Sequence, residues 1–240
     1  MKMKAPSSLV PEVNFWCPGC GHGIATRLLA EAADELGMTE KVILALDVAC
    51  GYNLCFTTKF DNICGAHGRT MPTAAGIKRV RPDNLVIAYL GDGAAYSIGM
   101  ESTIHCAIRN ENILAVVINN TCFGMTGGQM SVTTLEGEKT TSTPAGRDPR
   151  RDGSVFDVVK TLHHMPIAYL ARGSVENPRE IRNTKKMLKK AMEKQQNGEG
   201  FCLVEILSSC STNWNLSPVD AMKKVGEVLR PVFEVGEFIG

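Results

Sequence analysis

Leu85-Val86-Ile87-Ala88-Tyr89-Leu90-Gly91-Asp92-Gly93 is an apolar run that stops at a glycine-flanked aspartate. A second run, Ile113-Leu114-Ala115-Val116-Val117-Ile118, stops at Asn119-Asn120 and continues as Thr121-Cys122-Phe123-Gly124. Short Val/Ile-rich runs bounded by turn residues read as strands covered on both faces. Each polar motif then falls in the loop at the carboxyl end of a parallel strand, where open α/β sheets bind ligands. Asp92 and Asn120 offer hard oxygen ligands for Mg²⁺, an ion that usually keeps further ligands from a phosphate. Gly91 and Gly93 let backbone N–H groups approach that phosphate closely.

Working outward, strand and helix patterns alternate. Helical spacing is expected over Gly23–Leu36, Met71–Val80, Ser97–Arg109, Val155–His163, Pro178–Gln195 and Pro218–Leu229. Further strands are expected at Val42–Leu46, Ile167–Leu170 and Phe201–Leu207. The fold class this predicts is α/β, a doubly wound and mainly parallel sheet. The segment Thr133–Gly153 has no periodicity, and so long a loop is usually functional or mobile. One domain is expected over 1–240, with an amino-terminal arm about 1–22 and a carboxy-terminal arm about 208–240.

The 240 residues carry a net charge of +1 with both signs interspersed. That balance argues against nucleic acid as a partner, because no basic stripe is present. Met1-Lys2-Met3-Lys4 is charged but not followed by an apolar segment, so no signal peptide is expected. No apolar run reaches the length of a membrane span. A cytoplasmic protein is the simplest expectation.

Nine cysteines is a high count. In a reducing compartment clustered cysteines more often bind metal or do redox chemistry than pair as disulfides. Cys17-Pro18-Gly19-Cys20 can ligate a metal or form a redox pair. Cys50 and Cys210 lie just beyond expected strands, on the same sheet edge as Asp92. Four thiolates suit zinc or an iron–sulfur cluster, and at this level both stay open. His22 is a competing ligand or an orienting group. Cys55, Cys64, Cys106 and Cys202 read as buried bystanders. Cys122 would reach a metal through its carbonyl rather than its sulfur. His105 and His163-His164 read as structural, and the Lys-rich stretch Lys185–Lys194 as a solvated helix face.

Taken in order, Cys17-Pro18-Gly19-Cys20-Gly21-His22-Gly23, Cys50-Gly51-Tyr52-Asn53, His67-Gly68-Arg69, Gly91-Asp92-Gly93, Asn119-Asn120 and Thr126-Gly127-Gly128-Gln129 with Thr133-Thr134 resemble the β subunit of 2-oxoacid:ferredoxin oxidoreductases. The resemblance runs from about Phe15 to Cys210-Ser211-Thr212-Asn213-Trp214, most of the chain. It implies the thiamine diphosphate-binding fold and a 4Fe–4S cluster held by Cys17, Cys20, Cys50 and Cys210. It implies Mg²⁺ held by Asp92, Asn120 and the Cys122 carbonyl. Around the cofactor it places Val48, Ala49, Cys50, Gly51, His67, Gly91, Asp92, Gly93, Ala94, Asn120, Gly124 and Met125, and it offers His67 and Arg69 as catalytic groups. The implied reaction is oxidative decarboxylation of a 2-oxo acid to acyl-coenzyme A, with electrons passing through the cluster to ferredoxin. The cofactor supplies that chemistry and the protein orients it.

The ending Cys210–Trp214 with Pro218-Val219-Asp220-Ala221 looks most like members acting on branched-chain 2-oxo acids such as 2-oxoisovalerate, ahead of 2-oxoglutarate or pyruvate. One departure stands at Asn53, where some relatives carry a lysine facing the substrate carboxylate. The carboxylate that activates the aminopyrimidine ring belongs in such enzymes to a pyrimidine domain, expected here on a partner α subunit, with γ and δ (ferredoxin-like) subunits beside it. Readings of other classes are a non-catalytic iron–sulfur electron-transfer module and a thiamine diphosphate lyase with a zinc-stapled amino terminus.

Overall fold

Along Leu85–Gly91 successive side chains enter two different cores. Leu85, Ile87 and Tyr89 pack on one face with Leu44, Leu46, Val116 and Ile118. Val86, Ala88 and Leu90 pack on the other with Ala45, Ala115 and Val117. A strand alternates its side chains between faces, so a run apolar at every position needs helices on both sides. The computed structural model describes residues 5–240, and the expectation resting on Met1-Lys2-Met3-Lys4 lies outside them.

In chain order the strands are β1 (Val42–Leu46), β2 (Asp61–Cys64), β3 (Leu85–Gly91), β4 (Leu114–Asn119), β5 (Cys122–Phe123), β6 (Gln129–Met130), β7 (Tyr169–Ser174), β8 (Cys202–Leu207) and β9 (Gly236–Ile239). Seven form one sheet in the order β2-β1-β3-β4-β8-β7-β9, while β5 and β6 form a small separate hairpin. The first six of the large sheet run parallel and β9 antiparallel to β7. The helices are α1 (Gly21–Glu35), α2 (Leu54–Thr57), α3 (Thr70–Val80), α4 (Met100–Ile108), α5 (Pro149–Asp152), α6 (Val158–Leu162), α7 (Pro178–Gln196), α8 (Ser211–Trp214), α9 (Pro218–Lys224) and α10 (Arg230–Val232). Among the described residues no helix is long and apolar enough to cross a membrane.

α1 and α7 cover one face of the sheet, and α3, α4 and α6 cover the other. Asn177 caps α7, accepting from the N–H groups of Arg179 and Glu180 at 3.0 Å, and Pro178 follows at the first helical position. The Lys-rich face of α7 pairs with acidic neighbours. Lys185 sits 2.8 Å from Glu35, and Lys194 2.7 Å from Glu199.

Several expectations are corrected. β2 and β9 were not foreseen. Both are edge strands, and every residue of β2 is exposed, so no alternating pattern marks it. Cys64 is therefore exposed and Cys55 half-buried, whereas Cys106 and Cys202 are buried. β7 begins at Tyr169, not Ile167, and runs on to Ser174 in register with β8, the buried charge of Arg172 having broken the apolar run that would mark it. The helix expected over Val155–His163 is confined to α6. Thr133–Gly153 is organised around Arg147. Its buried guanidinium donates to the carbonyls of Val132 at 2.9 Å, Gly153 at 3.1 Å and Ser154 at 2.6 Å, and to those of Ser131 and Thr134.

Arg172 is 1% exposed and is held by Glu205, by Asp157 at 2.6 Å and by the Glu234 carbonyl at 3.2 Å. Burial works against its cation, but the two carboxylates outweigh that effect and keep it charged. Glu205 also accepts from Asn119 Nδ2 at 3.1 Å, which anchors the end of β4. Removing one partner of a buried pair strands the other charge. Glu205→Leu is expected to lower the unfolding free energy by about 3–5 kcal/mol, read from urea denaturation. A loss below about 1 kcal/mol, the scale of an exposed pair, would mean that Asp157 alone suffices.

Candidate active site

β1 sends the chain out to β2, and β3 restarts it on the other side of β1. That reversal is a topological switch point, and ligands bind beyond the strand ends there. A cavity of about 260 Å³ opens at this place, walled by the segments that follow β1, β3 and β4. Every residue that the resemblance assigns to the cofactor lines it, and His22, Cys122, Phe123 and Thr126 complete the wall. Gly93 must lack a side chain, because a Cβ there would collide with the Phe123 ring.

The helix after β3 was expected from Ser97. It begins at once with Asp92-Gly93 and passes through a π turn, Ala94–Ile98, before α4. π turns cluster at functional sites, and a helix amino terminus favours an anion. Asp92 is 1% exposed. Its Oδ2 accepts from Ser131 Oγ at 2.5 Å and from Thr133 Oγ1. Burial pushes its carboxyl up to about 6, against the lowering effect of those two hydroxyls and the Gly93 N–H. A carboxylate in a dry site with so few donors is best satisfied by a cation. Asn120, 6% exposed, lies beside it in the cavity wall. Hard oxygens of this kind fit Mg²⁺.

Between Asn120 and Cys122, Thr121 has φ +60°. A β-branched residue rarely adopts that conformation, which costs about 1–3 kcal/mol and persists only when neighbours enforce it. They do so here. Thr121 N donates to Asn119 Oδ1 at 3.2 Å, and its carbonyl accepts from Thr134 Oγ1.

The Cys17–Cys20 loop is fastened to the segment after β8. Ser209 Oγ donates to the Gly19 carbonyl at 2.5 Å and Ser211 Oγ to the Pro18 carbonyl at 2.6 Å. The four expected cluster cysteines therefore gather. Cys20 is pushed up to about 12, by burial first and then by the Cys210, Cys50 and Cys17 sulfurs. Cys50 is pushed up to about 11 by burial, then by Cys210 and Cys17. Cys210 is lowered to about 6 by a hydrogen bond with Cys122, against burial and with help from Asn213. Four sulfurs in one another's field repel as thiolates, and a bound polynuclear metal centre would relieve that repulsion. Among the described residues no group of three His, Cys, Asp or Glu side chains is arranged to hold a single metal ion.

His67 and Arg69, expected together as catalytic groups, part company. His67 lines the cavity, and its Nδ1 bonds to the buried Asp47. That contact fixes the orientation of the imidazole ring in the cavity wall. Arg69 does not line the cavity. It is drawn to Glu101 at 2.5 Å and to the Ile98 carbonyl at 3.0 Å, tying its loop to α4. His22 takes the orienting role. It is buried, bonded through Nδ1 to Tyr89 Oη at 2.9 Å, and stacked on Trp16 with ring centroids 5.1 Å apart.

Asp47, Ser131 and Asn213 were not singled out from the sequence. Asp47 also accepts from Gly68 N and Thr70 Oγ1, both at 2.8 Å. Only the position of Asp47 next to Val48 hinted at its place.

The family profile for the "Thiamine pyrophosphate enzyme, C-terminal TPP binding domain" matches residues 47–206. The ketoisovalerate oxidoreductase subunit VorA of Methanothermobacter thermautotrophicus is 38% identical over 229 residues, 95% of this chain and 48% of that protein. The 2-oxoglutarate synthase subunit KorB of Archaeoglobus fulgidus is 34% identical over 217 residues, 90% of this chain and 77% of that protein. The chain thus spans about half the length of the ketoisovalerate relatives it matches. The 2-oxoglutarate:ferredoxin oxidoreductase from Magnetococcus marinus, solved with 2-oxoglutarate, coenzyme A and succinyl-CoA bound, shares the fold. Its TM-score is 0.79 at 23% identity, over 99% of this chain and 85% of that one. The chain belongs to the thiamine pyrophosphate enzyme family, with its C-terminal TPP-binding domain, and within it to the 2-oxoacid:ferredoxin oxidoreductase subunits.

Two outcomes test the site. Burial lowers the His22 pKa to about 4, so between that value and 6.5 the unfolded chain binds a proton that the folded chain refuses. Stability from His22 therefore rises with pH across that window and is lost as pH falls through it. Asp92, raised in the fold, slopes the opposite way, so the measured quantity is the difference in urea midpoint between wild type and His22→Gln, which should shift in favour of the wild type as pH rises through the window. A difference that stays constant with pH would show that His22 binds its proton equally in the folded and unfolded states. Separately, Ser131→Ala with Thr133→Val removes both hydroxyls from Asp92. Binding of thiamine diphosphate with Mg²⁺ should weaken about tenfold or more, measured by calorimetry, and unchanged binding would separate these hydroxyls from the site.

Proposed function

We propose that this chain is the catalytic β subunit of a cytoplasmic 2-oxoacid:ferredoxin oxidoreductase acting on branched-chain 2-oxo acids such as 2-oxoisovalerate. The observation that carries the reading is the meeting of Cys17, Cys20, Cys50 and Cys210 with a cavity walled by Asp92 and Asn120, with Cys50 common to both. Bound thiamine diphosphate supplies the carbon nucleophile that decarboxylates the 2-oxo acid, and a 4Fe–4S cluster accepts electrons singly. In balance, one 2-oxo acid anion and one coenzyme A thiol give acyl-coenzyme A, CO₂, a proton and two electrons, which leave one at a time for ferredoxin.

The residues of this chain bind and orient. Asp92, Asn120 and the Cys122 carbonyl would hold Mg²⁺. The amino terminus of the helix at Ala94 would offer N–H groups to the diphosphate. His67, fixed by Asp47, presents Nε2 to the cavity as a proton acceptor. Asp92 is the one carboxylate among the described residues lining the cavity, and it would be committed to the metal. The carboxylate for the aminopyrimidine ring would therefore come from an α subunit, with γ and δ subunits completing the path to ferredoxin.

Substrate preference rests on what the wall lacks. Among its described residues there is neither lysine nor arginine to meet a second carboxylate. Val48 and Met125, each 54% exposed, present apolar surface at the cavity instead. That favours an aliphatic side chain over 2-oxoglutarate.

The test is an anaerobic absorbance and electron paramagnetic resonance study of the co-purified complex. A brown chromophore bleached by 2-oxoisovalerate with coenzyme A, and more slowly by 2-oxoglutarate, is expected. The isolated chain with thiamine diphosphate and Mg²⁺ should release no CO₂. Failure of every 2-oxo acid to bleach the complex overturns the enzymatic reading, and turnover by the chain alone overturns the need for a partner.

A further inference from the structure

The Asn213 side chain makes two contacts that no other role so far explains. Its Nδ2 donates to Cys210 Sγ at 3.2 Å and to the Gly124 carbonyl at 2.8 Å. A carboxamide nitrogen has two hydrogens, so both bonds form at once. The first partner is one of the four clustered cysteines, and the second belongs to the loop that carries Asn120 and Met125 along the cavity. Gly124 occupies a crossing point. A Cβ there would lie 3.5 Å from Asn120 Nδ2, 3.6 Å from Cys50 Sγ and 3.7 Å from Asn213 Nδ2.

The local fold holds the carboxamide in place. Cys210 caps α8, and Asn213 follows it by one turn, so both lie on the same side of that turn. Trp214 N donates back to the Cys210 carbonyl at 3.0 Å, and Lys224 Nζ covers the Trp214 ring at 4.2 Å. On the loop side, Gly128 has φ +78°, and a Cβ there would lie 2.9 Å from Asn213 Cβ and 3.0 Å from its Oδ1. A side chain at position 128 would therefore push the carboxamide away from both partners.

We infer that Asn213 is a positioning residue that couples the iron–sulfur cluster to the cofactor loop, one N–H on the cluster ligand Cys210 and the other on Gly124. The inference rests on the cluster proposed above. Adding one electron makes the cluster more negative, and an N–H donor on a ligand sulfur stabilises that state, so the donor raises the reduction potential. The electron comes from the 2-oxo acid and leaves to ferredoxin, so the donor sets how readily the cluster accepts it. Because the same amide holds Gly124, any shift of the loop on cofactor binding changes the bond to sulfur. By linkage, the redox state of the cluster then alters cofactor affinity by the same factor.

The experiment is a redox titration of the complex followed by electron paramagnetic resonance, with and without thiamine diphosphate and Mg²⁺. Wild type should show a midpoint potential that moves when the cofactor binds. Asn213→Ala should lower the potential, with a change of about tenfold in the one-electron equilibrium, about 59 mV, and the cofactor-induced movement should vanish. Asn213→Asp keeps the shape, loses both donors and adds charge, so its potential should fall at least as far. Gly128→Ala, which displaces the amide without altering it, should shift the same way by less. Variants that keep both the wild-type potential and its response to cofactor overturn the coupling and leave Asn213 as packing. Loss of the cluster in all three variants, with the wild type loaded, makes Asn213 an assembly residue and overturns the tuning role. A wild-type complex with no cluster signal overturns the underlying reading as well.

Discussion

A parallel sheet delivers all its carboxyl ends to one edge, and everything chemical in this chain depends on that. Leu46 of β1 sits opposite Tyr89 of β3, Gly91 opposite Ile118 of β4, and Asn119 opposite Leu207 of β8. The strands end nearly level, so the loops that follow them are neighbours in space although far apart in sequence. Cys50, Asp92, Asn120 and Cys210 come from four such loops. The Cys17–Cys20 loop joins them because α1 must start where its apolar face can reach the sheet, which fixes the preceding residues above the same edge.

Gathering these groups creates an electrostatic problem. The buried Asp92 carboxylate lines the cavity together with Cys50, the sulfur it shares with the cysteine group, and the described wall residues include neither lysine nor arginine. The fold answers with neutral donors. Ser131 and Thr133 serve Asp92, Asn213 and Cys122 serve Cys210, and the Gly93 N–H adds to Asp92. Donors of this kind hold geometry without cancelling charge. On the proposed reading, cancellation would be left to bound cations, which a site with resident lysines would bind less well. The buried guanidinium groups nearby are already engaged, Arg172 with Glu205 and Asp157 beneath the β4 end and Arg147 with the carbonyls of its own loop.

What could be read from the sequence follows from the same physics. β1, β3, β4 and β8 were legible because burial on both faces leaves an unbroken apolar run. β2 and β9 were not, since an edge strand needs no such run. β7 was half legible, as Arg172 and Ser174 hide a fully buried strand behind polar letters. Cys50, Asp92 and Asn120 stood out because their chemistry is rare at strand ends, and Cys17 and Cys20 because of their paired spacing ahead of α1. Ser131, Asp47 and Asn213 are ordinary polar residues, and only three-dimensional contact separates them from solvent-facing ones. Arg69 illustrates the opposite case, standing outside the cavity wall. Next to His67 and Gly68 it reads as part of a motif, yet a turn throws adjacent side chains apart, and Glu101 claims it.

The strain at Thr121 ties these observations together. A left-handed threonine is unfavourable, and replacing it by glycine would remove the cost without touching a ligand. The conformation turns the chain sharply between Asn120, which faces the cavity, and Cys122, which reaches Cys210. A relaxed residue there would let the loop slide, and the metal side and the sulfur side of the site would lose their fixed spacing. On the proposed reading, electrons must cross that spacing in every turnover, so rigidity at Thr121 serves transfer as well as binding. The anchors of that rigidity, Asn119 and Thr134, are themselves held by Glu205 and the loop around Arg147. The buried charges under the sheet edge and the strained residue above it therefore act as one support.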